Sequence, residues 1–411
     1  MICCSKQFWL GGGMALLAVL LSACGGGGGA ATTPTPPVLV AQGNVVPIVV
    51  DTGPADAGYN VNRLYVDVTV CRPVSNDCQT IDHVLVDTGS IGLRLLSSVV
   101  RSTLNLSRVT ASAGLPLLSC VQFVDNTFAW GPVVLADVML GSKTASNMPI
   151  QLVADPTIGN APASCSIGGT AMTTVANLGA NGILGLGLFK EDCGTDCAGS
   201  THNGSYYTCS NASCASSVGV KASLAQQLKN PVPLFATDNN GILIDLPVPA
   251  SSSATTLAGS LIFGIGTQTN NQPGTAVVLT TSATGYFTTL LGTQSMSNSF
   301  LDTGSNGFFF DSRSIPACLA SSLGFYCPST LTPVSATLVG ANGLRRAVSF
   351  SVADASTMFG DASKTVFPNL AGPMGDVSSF DWGLPFYYGR RVLMGIEGQT
   401  SSLGAGPYYA F

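Results

Sequence analysis

The chain has 411 residues, of which only 9% are charged, and its formal net charge at pH 7 is −5. This balance offers no basic stripe, so nucleic-acid binding is disfavoured as a function. The length is sufficient for two lobes with sizeable cores. The abundance of Gly, Ser, Thr and Asn favours a β-rich, turn-rich exported protein over a cytosolic enzyme.

The first 24 residues have the features of a secretory signal. They read MICCSKQFWLGGGMALLAVLLSAC, with Lys6 ahead of an apolar run over residues 14–21 and small residues before a cysteine. The run is too short for a comfortable membrane span, and no stop-transfer charges follow it. We therefore predict a lipoprotein signal peptide over residues 1–23, with Cys24 lipidated and the outer membrane as the default site of anchoring.

A linker-like stretch follows the predicted lipidation site. Residues 25–41 read GGGGGAATTPTPPVLVA, a composition that cannot bury a core and that predicts a tether. We expect residues 24–57 to form this tether and a lead-in strand, which together hold the folded part off the membrane.

The tetrapeptide Asp-Thr-Gly-Ser occurs twice, each time between apolar segments. HVLVDTGSIGLRLL contains Asp87 and SFLDTGSNGFFF contains Asp302. Two neighbouring carboxylates that share a proton can work as an acid/base pair, one accepting a proton from water while the other donates to a carbonyl. We predict that these two residues form a catalytic dyad. The residues expected to support it are Thr88, Gly89, Ser90, Thr303, Gly304 and Ser305.

The residue types around each acid suit this chemistry. Glycine allows a neighbouring backbone to approach closely, and the short hydroxyls can bond to backbone or carboxylate and orient it. These hydroxyls should favour the ionised dyad and an acidic working range. A third Asp-Thr-Gly, at residues 51–53, is followed by Pro54 and no apolar strand, so we interpret it as an ordinary turn.

Apolar and alternating segments predict β-structure along most of the chain. The clearest are LYVDVTV, HVLVD, VVLADVML, MPIQLVA, GILID, SLIFGI, TAVVLTT and RRVLMGI. Helices should be few, the clearest at residues 224–229, with short ones at residues 97–104 and 311–323. The linker-like PVPASSSATT predicts a boundary between lobes near residues 247–256.

Thirteen cysteines occur in the chain, and setting aside Cys3, Cys4 and Cys24 leaves an even number, which suits an oxidising compartment. The candidate disulfides outside the densest cluster are Cys71 with Cys78, Cys318 with Cys327, and Cys120 with Cys165. The cluster itself consists of Cys193, Cys197, Cys209 and Cys214. Two disulfides are favoured there over a zinc site because the spacing lacks a paired Cys-x-x-Cys ribbon.

Residues that other kinds of catalysis would require are scarce. The only histidines are His83 and His202, and the first lies on the strand leading into the first acidic turn, where a structural role is expected. No Gly-x-Ser-x-Gly elbow accompanies them. We expect no metal centre and no cofactor.

Around the two acidic turns the chain resembles the pepsin-like, two-lobed aspartic peptidases. LYVDVTVCRPVSNDCQTIDHVLVDTGSIGLRLL is similar to the opening hairpin and catalytic turn of that family, NGILGLGL to the segment that crosses beneath the turn, and GSLIFGIG to the start of the second lobe. The second crossing segment is best matched by FDWG at residues 380–383. The resemblance covers residues 58–411 and is strongest to poorly characterised bacterial lipoproteins of this fold.

This resemblance implies an all-β, bilobal fold with two β-barrel-like lobes related by a pseudo-twofold axis and few short helices. The N-terminal lobe would span residues 58–250 and the C-terminal lobe residues 251–411. Members of the family carry a flap tyrosine over the cleft, whereas the corresponding stretch here, CVQFVDNTFAWG, contains no Tyr. The expected flap residues are Phe123, Phe128 and Trp130.

The predicted function is that of a membrane-anchored, exported aspartic endopeptidase. It would be a monomer that binds an extended peptide or protein in the cleft between the lobes, in the periplasm or at the surface of a bacterial envelope. The missing flap tyrosine keeps a second hypothesis open, a catalytically inactive lipoprotein of the same fold that binds a ligand. A β-rich adhesin without internal duplication is a third, and it predicts that the two acidic turns lie far apart.

Overall fold

The computed structural model describes residues 43–111, 114–211, 214–319 and 324–411. The predicted signal peptide, Cys24 and most of the predicted tether lie outside these residues. Within the described ranges, no helix combines the length and the apolar character that a membrane crossing requires.

The chain is built mainly from short β-strands. Those of the first part are β1 (Val45–Val50), β2 (Leu64–Cys71), β3 (Cys78–Asp87), β4 (Ile91–Leu96), β5 (Leu117–Gln122), β6 (Thr127–Leu140), β7 (Lys143–Val153), β8 (Thr170–Ala171), β9 (Gly182–Leu186), β10 (Tyr206–Cys209), β11 (Ser217–Gly219) and β12 (Gly241–Leu246). Those of the second part are β13 (Leu257–Phe263), β14 (Val278–Thr280), β15 (Phe287–Leu291), β16 (Gln294–Leu301), β17 (Phe308–Phe310), β18 (Thr332–Val339), β19 (Arg345–Val352), β20 (Ala371–Gly372), β21 (Ser379–Trp382), β22 (Arg390–Gly395), β23 (Thr400–Ser401), β24 (Gly404–Ala405) and β25 (Tyr408–Ala410).

Helical segments are short. The α-helices of the described residues are α1 (Ala163–Ser166), α2 (Val175–Leu178), α3 (Gly194–Gly199) and α4 (Ala355–Met358). Single 3₁₀ turns occur at Ala55–Ala57, Ser102–Leu104, Val232–Leu234, Thr269–Asn271 and Leu384–Tyr387. The all-β fold class with few short helices is thereby confirmed.

Two sheets carry the two acidic turns. A sixteen-stranded sheet runs in the order β11-β10-β5-β6-β7-β4-β9-β3-β2-β1-β13-β12-β22-β25-β14, with β8 paired to β6. A seven-stranded sheet runs β19-β18-β15-β16-β21-β17-β20, and β23 pairs with β24. The first acidic turn follows β3 of the large sheet, and the second follows β16 of the smaller one.

The large sheet also joins the two parts of the chain. Strand β13 lies between β1 and β12 and is antiparallel to both. Strand β12 pairs on its other side with β22. The predicted boundary at residues 247–256 falls in the loop between β12 and β13, but strands from after this loop complete the sheet of the first part.

The local predictions succeed for strands and fail for the main helix. Each of the eight segments predicted as strand overlaps a strand, from β2 to β22. Residues 224–229 form a turn instead of a helix, in which the amides of Gln226 and Gln227 donate to the carbonyl oxygen of Ser223. The chain leaves this turn at Leu228, whose amide donates to the Tyr206 hydroxyl at 2.8 Å, and Lys229 then forms a β-bridge with Glu191.

Five disulfide bonds link the ten cysteines that were considered for pairing. The observed pairs are Cys71–Cys78, Cys120–Cys165, Cys193–Cys197, Cys209–Cys214 and Cys318–Cys327. The three individually predicted bonds are confirmed. The cluster of four cysteines forms two disulfides, as favoured over zinc binding.

Candidate active site

The first acidic turn is held between three strands. Asp87 is the last residue of β3, and the fully buried strand β4 begins at Ile91. Strand β9 runs between them, parallel to β3 with Gly185 opposite Asp87, and antiparallel to β4. The segment predicted to cross beneath this turn, at residues 181–188, therefore contains that central strand.

The second acidic turn has the same construction. Asp302 follows β16 directly, and β21 runs parallel to β16 and antiparallel to β17. The amide of Asp302 donates a hydrogen bond of 3.0 Å to the carbonyl oxygen of Trp382 on β21. The FDWG segment predicted as the second crossing is thus the strand beneath this turn.

The two turns meet through a reciprocal pair of threonines. Thr88 Oγ1 donates to the carbonyl oxygen of Leu301 at 3.2 Å, and Thr303 Oγ1 donates to that of Val86 at 2.7 Å. Each hydroxyl also accepts from the amide of the opposite threonine, at 3.2 Å for the Thr88 amide and 3.0 Å for the Thr303 amide. This exchange relates the turns by an approximate twofold axis and fixes the spacing of the acids that precede them.

Each carboxyl group is oriented by its own turn. Asp87 Oδ1 accepts from the amides of Gly89 and Ser90, at 2.8 and 3.1 Å, and its Oδ2 accepts from the Ser90 hydroxyl. Asp302 Oδ1 accepts from the amide of Gly304 at 2.8 Å, and its Oδ2 lies 2.9 Å from the Ser305 hydroxyl. All six residues predicted to support the dyad are therefore in place around it.

The two acids are in direct contact. The Gly89 amide donates to Asp87 Oδ1 and also, at 3.1 Å, to Asp302 Oδ1. Because two ionised carboxylates that share one donor at this range repel each other, the pair holds one proton between them. Their exposed fractions are 1% and 0%, so this proton lies in a site almost closed to solvent.

Burial dominates the electrostatics of the pair. It raises the pKa of Asp302 well above its ordinary value, and the charges of Asp87 and Asp381 raise it further. Burial also raises the pKa of Asp87, although the Ser90 hydroxyl, the bond from Asp302 and the Gly89 amide act in the opposite direction. The hydroxyls thus oppose protonation as expected, but they do not outweigh the loss of solvent. Burial thus favours a protonated form of the pair, which titrates as a unit.

The predicted flap residues are distributed differently from the expectation. Phe128 and Trp130, on β6, pack with Tyr207 and with the Cys120–Cys165 disulfide. The indole Nε1 of Trp130 donates to the carbonyl oxygen of Gly159 at 2.8 Å. Both are core residues of the first part of the chain instead of lid residues, because their strand turns this face inward.

The turn between β5 and β6 carries the remaining candidate. Phe123 is buried in a cluster with Tyr65 and Met172. Val124, the next residue, packs on a different cluster, which contains Val61 together with second-part side chains such as Phe309. The sequence did not single out Val124 as a contact between the two parts of the chain, because a single aliphatic residue in a turn forms no recognisable pattern.

The third Asp-Thr-Gly is an ordinary turn, as predicted. The amide of Gly53 donates to Asp51 Oδ1 at 2.8 Å, and Asp51 Oδ2 lies 3.4 Å from Nε2 of His83. Nδ1 of this histidine contacts Asp82 at 2.7 Å. His83 lies on the strand that leads to the dyad, and two carboxylates, those of Asp51 and Asp82, hold its ring. This is the structural role expected for it.

Two other buried residues at the site were not predicted. Tyr387 places its hydroxyl 3.1 Å from Thr88 Oγ1. Asp381, on β21, contacts the Ser305 hydroxyl with its Oδ2 at 2.6 Å. An acidic residue in a crossing strand that is otherwise apolar was visible in the sequence, but its contact with Ser305 depends on tertiary structure.

Comparison with family models gives one match, over residues 40–411, to a family described as a protein of unknown function (DUF3443). The chain belongs to this family. No curated protein matches it.

Among solved structures, this family member is similar to an aspartic proteinase from Irpex lacteus, determined as a crystal structure. The two share 14% sequence identity over 89% of this chain and 96% of the fungal one, with a TM-score of 0.43. A similarity at that level carries no inference about the site. Any functional conclusion for this chain therefore depends on the geometry of its two acidic turns.

Proposed function

We propose that this protein is an aspartic endopeptidase. The observation that carries the proposal is that Asp87 and Asp302 share the Gly89 amide as a donor. Their turns are held together by the reciprocal threonines, and each acid is oriented by its own serine. Two carboxyl groups in contact cannot both ionise easily, so the pair binds one proton and titrates as a unit. An acid and a base in this arrangement can hydrolyse an amide without a metal or a covalent intermediate.

The roles of the two acids follow from their environments. Ionised Asp87 would accept a proton from a water molecule as that water attacks the scissile carbonyl carbon. Protonated Asp302 would donate its proton to the carbonyl oxygen, and the tetrahedral intermediate then collapses with protonation of the leaving amine. Because burial raises both pKa values, the singly protonated pair should persist above the ordinary aspartate pKa of about 4.

The setting of the enzyme is part of the proposal. The N-terminal sequence supports export and lipidation at Cys24, with the protein anchored to a bacterial envelope, by default at the outer membrane, and facing the periplasm or the surface. Five disulfides support an oxidising compartment. The proposed substrate is an extended peptide or protein, bound by a monomer between lobes at residues 58–250 and 251–411.

The test is cleavage of a denatured protein between pH 3 and pH 7 by wild type, Asp87→Asn and Asp302→Asn. Each variant should lose at least about 10³-fold in kcat/KM, since acid–base catalysis contributes roughly 10²–10⁴-fold and the shared proton is lost with either acid. Asp51→Asn is the matched control because it lies in the same tripeptide outside the site, and it should retain activity. Activity that survives in both dyad variants would refute the mechanism.

One observation favours a second function. The carboxyl groups are 1% and 0% exposed, which suits a protein that retains the frame and binds a ligand without turnover. Calorimetry with the non-cleavable peptide pepstatin separates the two. An active peptidase should bind it and lose activity, whereas failure of pepstatin to bind, together with no proteolysis at any pH, would favour the binding protein.

A further inference from the structure

A buried arginine lies behind the first acidic turn. Arg94 is on β4 and is 1% exposed. Strand register places Leu85 and Arg94 on either side of Ile183, so the three side chains project from one face of the sheet. Asp87 comes two residues after Leu85 on β3 and shares this face. The two charged residues are therefore two strand spacings apart across the sheet, which is about 10 Å.

The guanidinium of Arg94 is bound to the turn and to one carboxylate. Its Nη1 donates to the carbonyl oxygen of Ile91 at 2.6 Å, and Ile91 directly follows the acidic turn. Its Nη2 lies 3.3 Å from Asp192 Oδ2. The Nε has no hydrogen-bond partner among the residues that the structure describes. Such incomplete bonding of a buried cation costs folding free energy, which favours a functional role for the charge over a role in packing.

Asp192 is held in place by the chain around it. Its Oδ1 accepts from the Tyr206 hydroxyl at 2.6 Å, and that hydroxyl accepts from the Leu228 amide at 2.8 Å. The Asp192 amide donates to the carbonyl oxygen of Leu228 at 3.1 Å. Leu228 packs on Gly92 of β4, where a Cβ would lie 2.7 Å from Leu228 Cβ. These contacts keep the Asp192 carboxylate against Arg94 and determine the direction of the guanidinium.

Other titratable side chains around Arg94 are neutral or paired. Glu191 is paired with Lys229 at 3.3 Å. Burial raises the pKa of Tyr206 well above its ordinary value, so this residue stays uncharged. On β7, the neighbour of β4 on its other side, the uncharged Gln151 lies opposite Arg94. The guanidinium charge is therefore left to act on its carboxylate partner and on the first acid of the dyad.

The balance between these two carboxyl groups depends on pH. Burial raises the pKa of Asp192 to about 6, although the charge of Arg94 and the bond from Tyr206 oppose this increase. Below that pH Asp192 is mainly neutral and no longer balances the guanidinium charge. Burial also raises the pKa of Asp87, and the charge of Arg94 is among the effects that oppose it. The influence of Arg94 on Asp87 should therefore be greatest under acidic conditions.

We propose that Arg94 is a positioning residue of the dyad, whose buried charge favours the ionised form of Asp87 while Asp192 and Tyr206 hold the guanidinium in place. Its importance for catalysis rests on the proposed peptidase function. Its effect on the titration of the two acids does not, so the two can be tested separately.

The first experiment compares the pH dependence of kcat/KM for wild type, Arg94→Gln and Arg94→Lys, with a denatured protein as substrate. Loss of the charge in Arg94→Gln should move both limbs of the profile upward by about one pH unit, the size of a charge–charge interaction over about 10 Å in a protein interior. Arg94→Lys keeps the charge, so its profile should keep the wild-type limbs even where the rate falls. A loss of activity that is uniform over pH in both variants would indicate a merely structural role and would overturn the proposal.

A matched control and a second variant accompany this experiment. Arg108→Gln removes an exposed arginine that is paired with Asp155 at 3.1 Å, and its profile should follow wild type. If Arg94→Gln does not fold because Asp192 is left buried without its partner, the double variant Arg94→Gln/Asp192→Asn has neutral amides at both positions. Its limbs should also move upward, and a wild-type profile in the double variant would refute the proposal.

The second experiment needs no substrate. NMR of protein with ¹³C-labelled aspartate carboxyl groups follows the titration of the dyad, and Asp87→Asn and Asp302→Asn assign its signals. This titration should move to higher pH in Arg94→Gln and stay in place in Arg94→Lys. The same titration in wild type and Arg94→Gln would contradict the proposal. If the wild type cleaves nothing, the proposed peptidase function fails, and the titration still decides the role of Arg94.

Discussion

The amide of Gly89 is the point at which the two acidic turns come closest, since it donates to a carboxylate oxygen of both acids. A Cβ at this position would lie 2.8 Å from Asp302 Cγ, and one at Gly304 would lie 2.8 Å from Asp87 Oδ1. Neither glycine has a positive φ, so their importance is the close approach of the opposite carboxylate and not backbone conformation.

We predict that Gly89→Ala and Gly304→Ala each separate the acids. Overpacking of this kind costs about 1–3 kcal/mol of stability, and displacement of a catalytic group costs roughly 10²-fold in rate. Thermal unfolding and peptide cleavage measure the two effects. Gly199→Ala is the matched control, since a Cβ there meets open space; if it impaired cleavage as strongly as the other two, the contact explanation would be wrong.

At the level of single residues, the two acids of the dyad could be predicted from the sequence, but not all of the residues that contact their turns. Asp87, Asp302 and their turn residues were predictable because a repeated tetrapeptide between apolar strands is a local pattern. Asp381 and Tyr387 were not, because their contacts join residues 76 and 299 positions apart. The outward or inward direction of Phe128 and Trp130 depends likewise on which face of β6 is covered.

The strand β3 connects a pH-sensitive contact to the dyad. His83 has a φ of 47°, and its ring contacts Asp51, Asp82 and, edge-on at 5.3 Å, Tyr65. The bond to Asp51, followed by that to Asp82, raises the pKa of His83 to about 9, against the opposing effect of burial. The imidazolium thus ties the strand to the turn at residues 51–53.

We predict that the free energy of unfolding declines as pH rises from about 6.5 to about 9, because His83 loses its proton over this range. The folded state binds the His83 proton more tightly than the unfolded state, whose histidine pKa is about 6.5. The contribution is therefore complete below pH 6.5 and is lost as pH rises through about 9. Its size should be on the order of 1 kcal/mol, because the site is partly exposed and screened.

Urea unfolding of His83→Gln should show a flatter dependence between pH 6 and pH 9 than wild type. His202→Gln replaces an exposed histidine and should reproduce the wild-type curve. A decline that is equally steep in both variants would show that His83 does not contribute it.

At the level of secondary-structure elements, the strands were predictable because alternating and short apolar runs are the typical pattern of β-strands. The turn at residues 224–229 was not, although Ser223 and Gln226 form the side-chain contact typical of a helix start. The segment ends after a single turn because the Leu228 amide donates to the Tyr206 hydroxyl instead of to a carbonyl oxygen one helical turn earlier. The disulfides Cys71–Cys78 and Cys318–Cys327 were predictable because each pair flanks a short loop. The pairing within the cluster at residues 193–214 was not, because four neighbouring cysteines allow several pairings.

The whole molecule is joined by a buried asparagine near the start of β2. Asn62 donates to the carbonyl oxygens of Asn306 and Phe367, both at 2.8 Å. Its Oδ1 accepts from the Phe367 amide at 2.7 Å and from the Tyr388 hydroxyl at 2.8 Å. These bonds span 244 to 326 positions and connect the first part of the chain to the second acidic turn.

We predict that Asn62→Ala destabilises the protein by about 3 kcal/mol or more, because several buried polar groups lose their partner at roughly 1 kcal/mol each. The free energy of unfolding in urea measures it. Asn60→Ala is the neighbouring control, since the Asn60 side chain donates to the nearby carbonyl oxygens of Ala57 and Gly58. Losses within about 1 kcal/mol of each other in the two variants would contradict the bridging role.

The position of β13 between β1 and β12 determines how much of the chain must be present before the large sheet can close. In a chain that stops short of residue 263, the strands at residues 45–50 and 241–246 each lack a neighbour, and their free edges are open to pairing with other chains. Exposed edges of this kind make incomplete products prone to aggregate. Fragments that end at residue 250 should therefore remain sensitive to protease, and those that extend beyond residue 263 should begin to resist it.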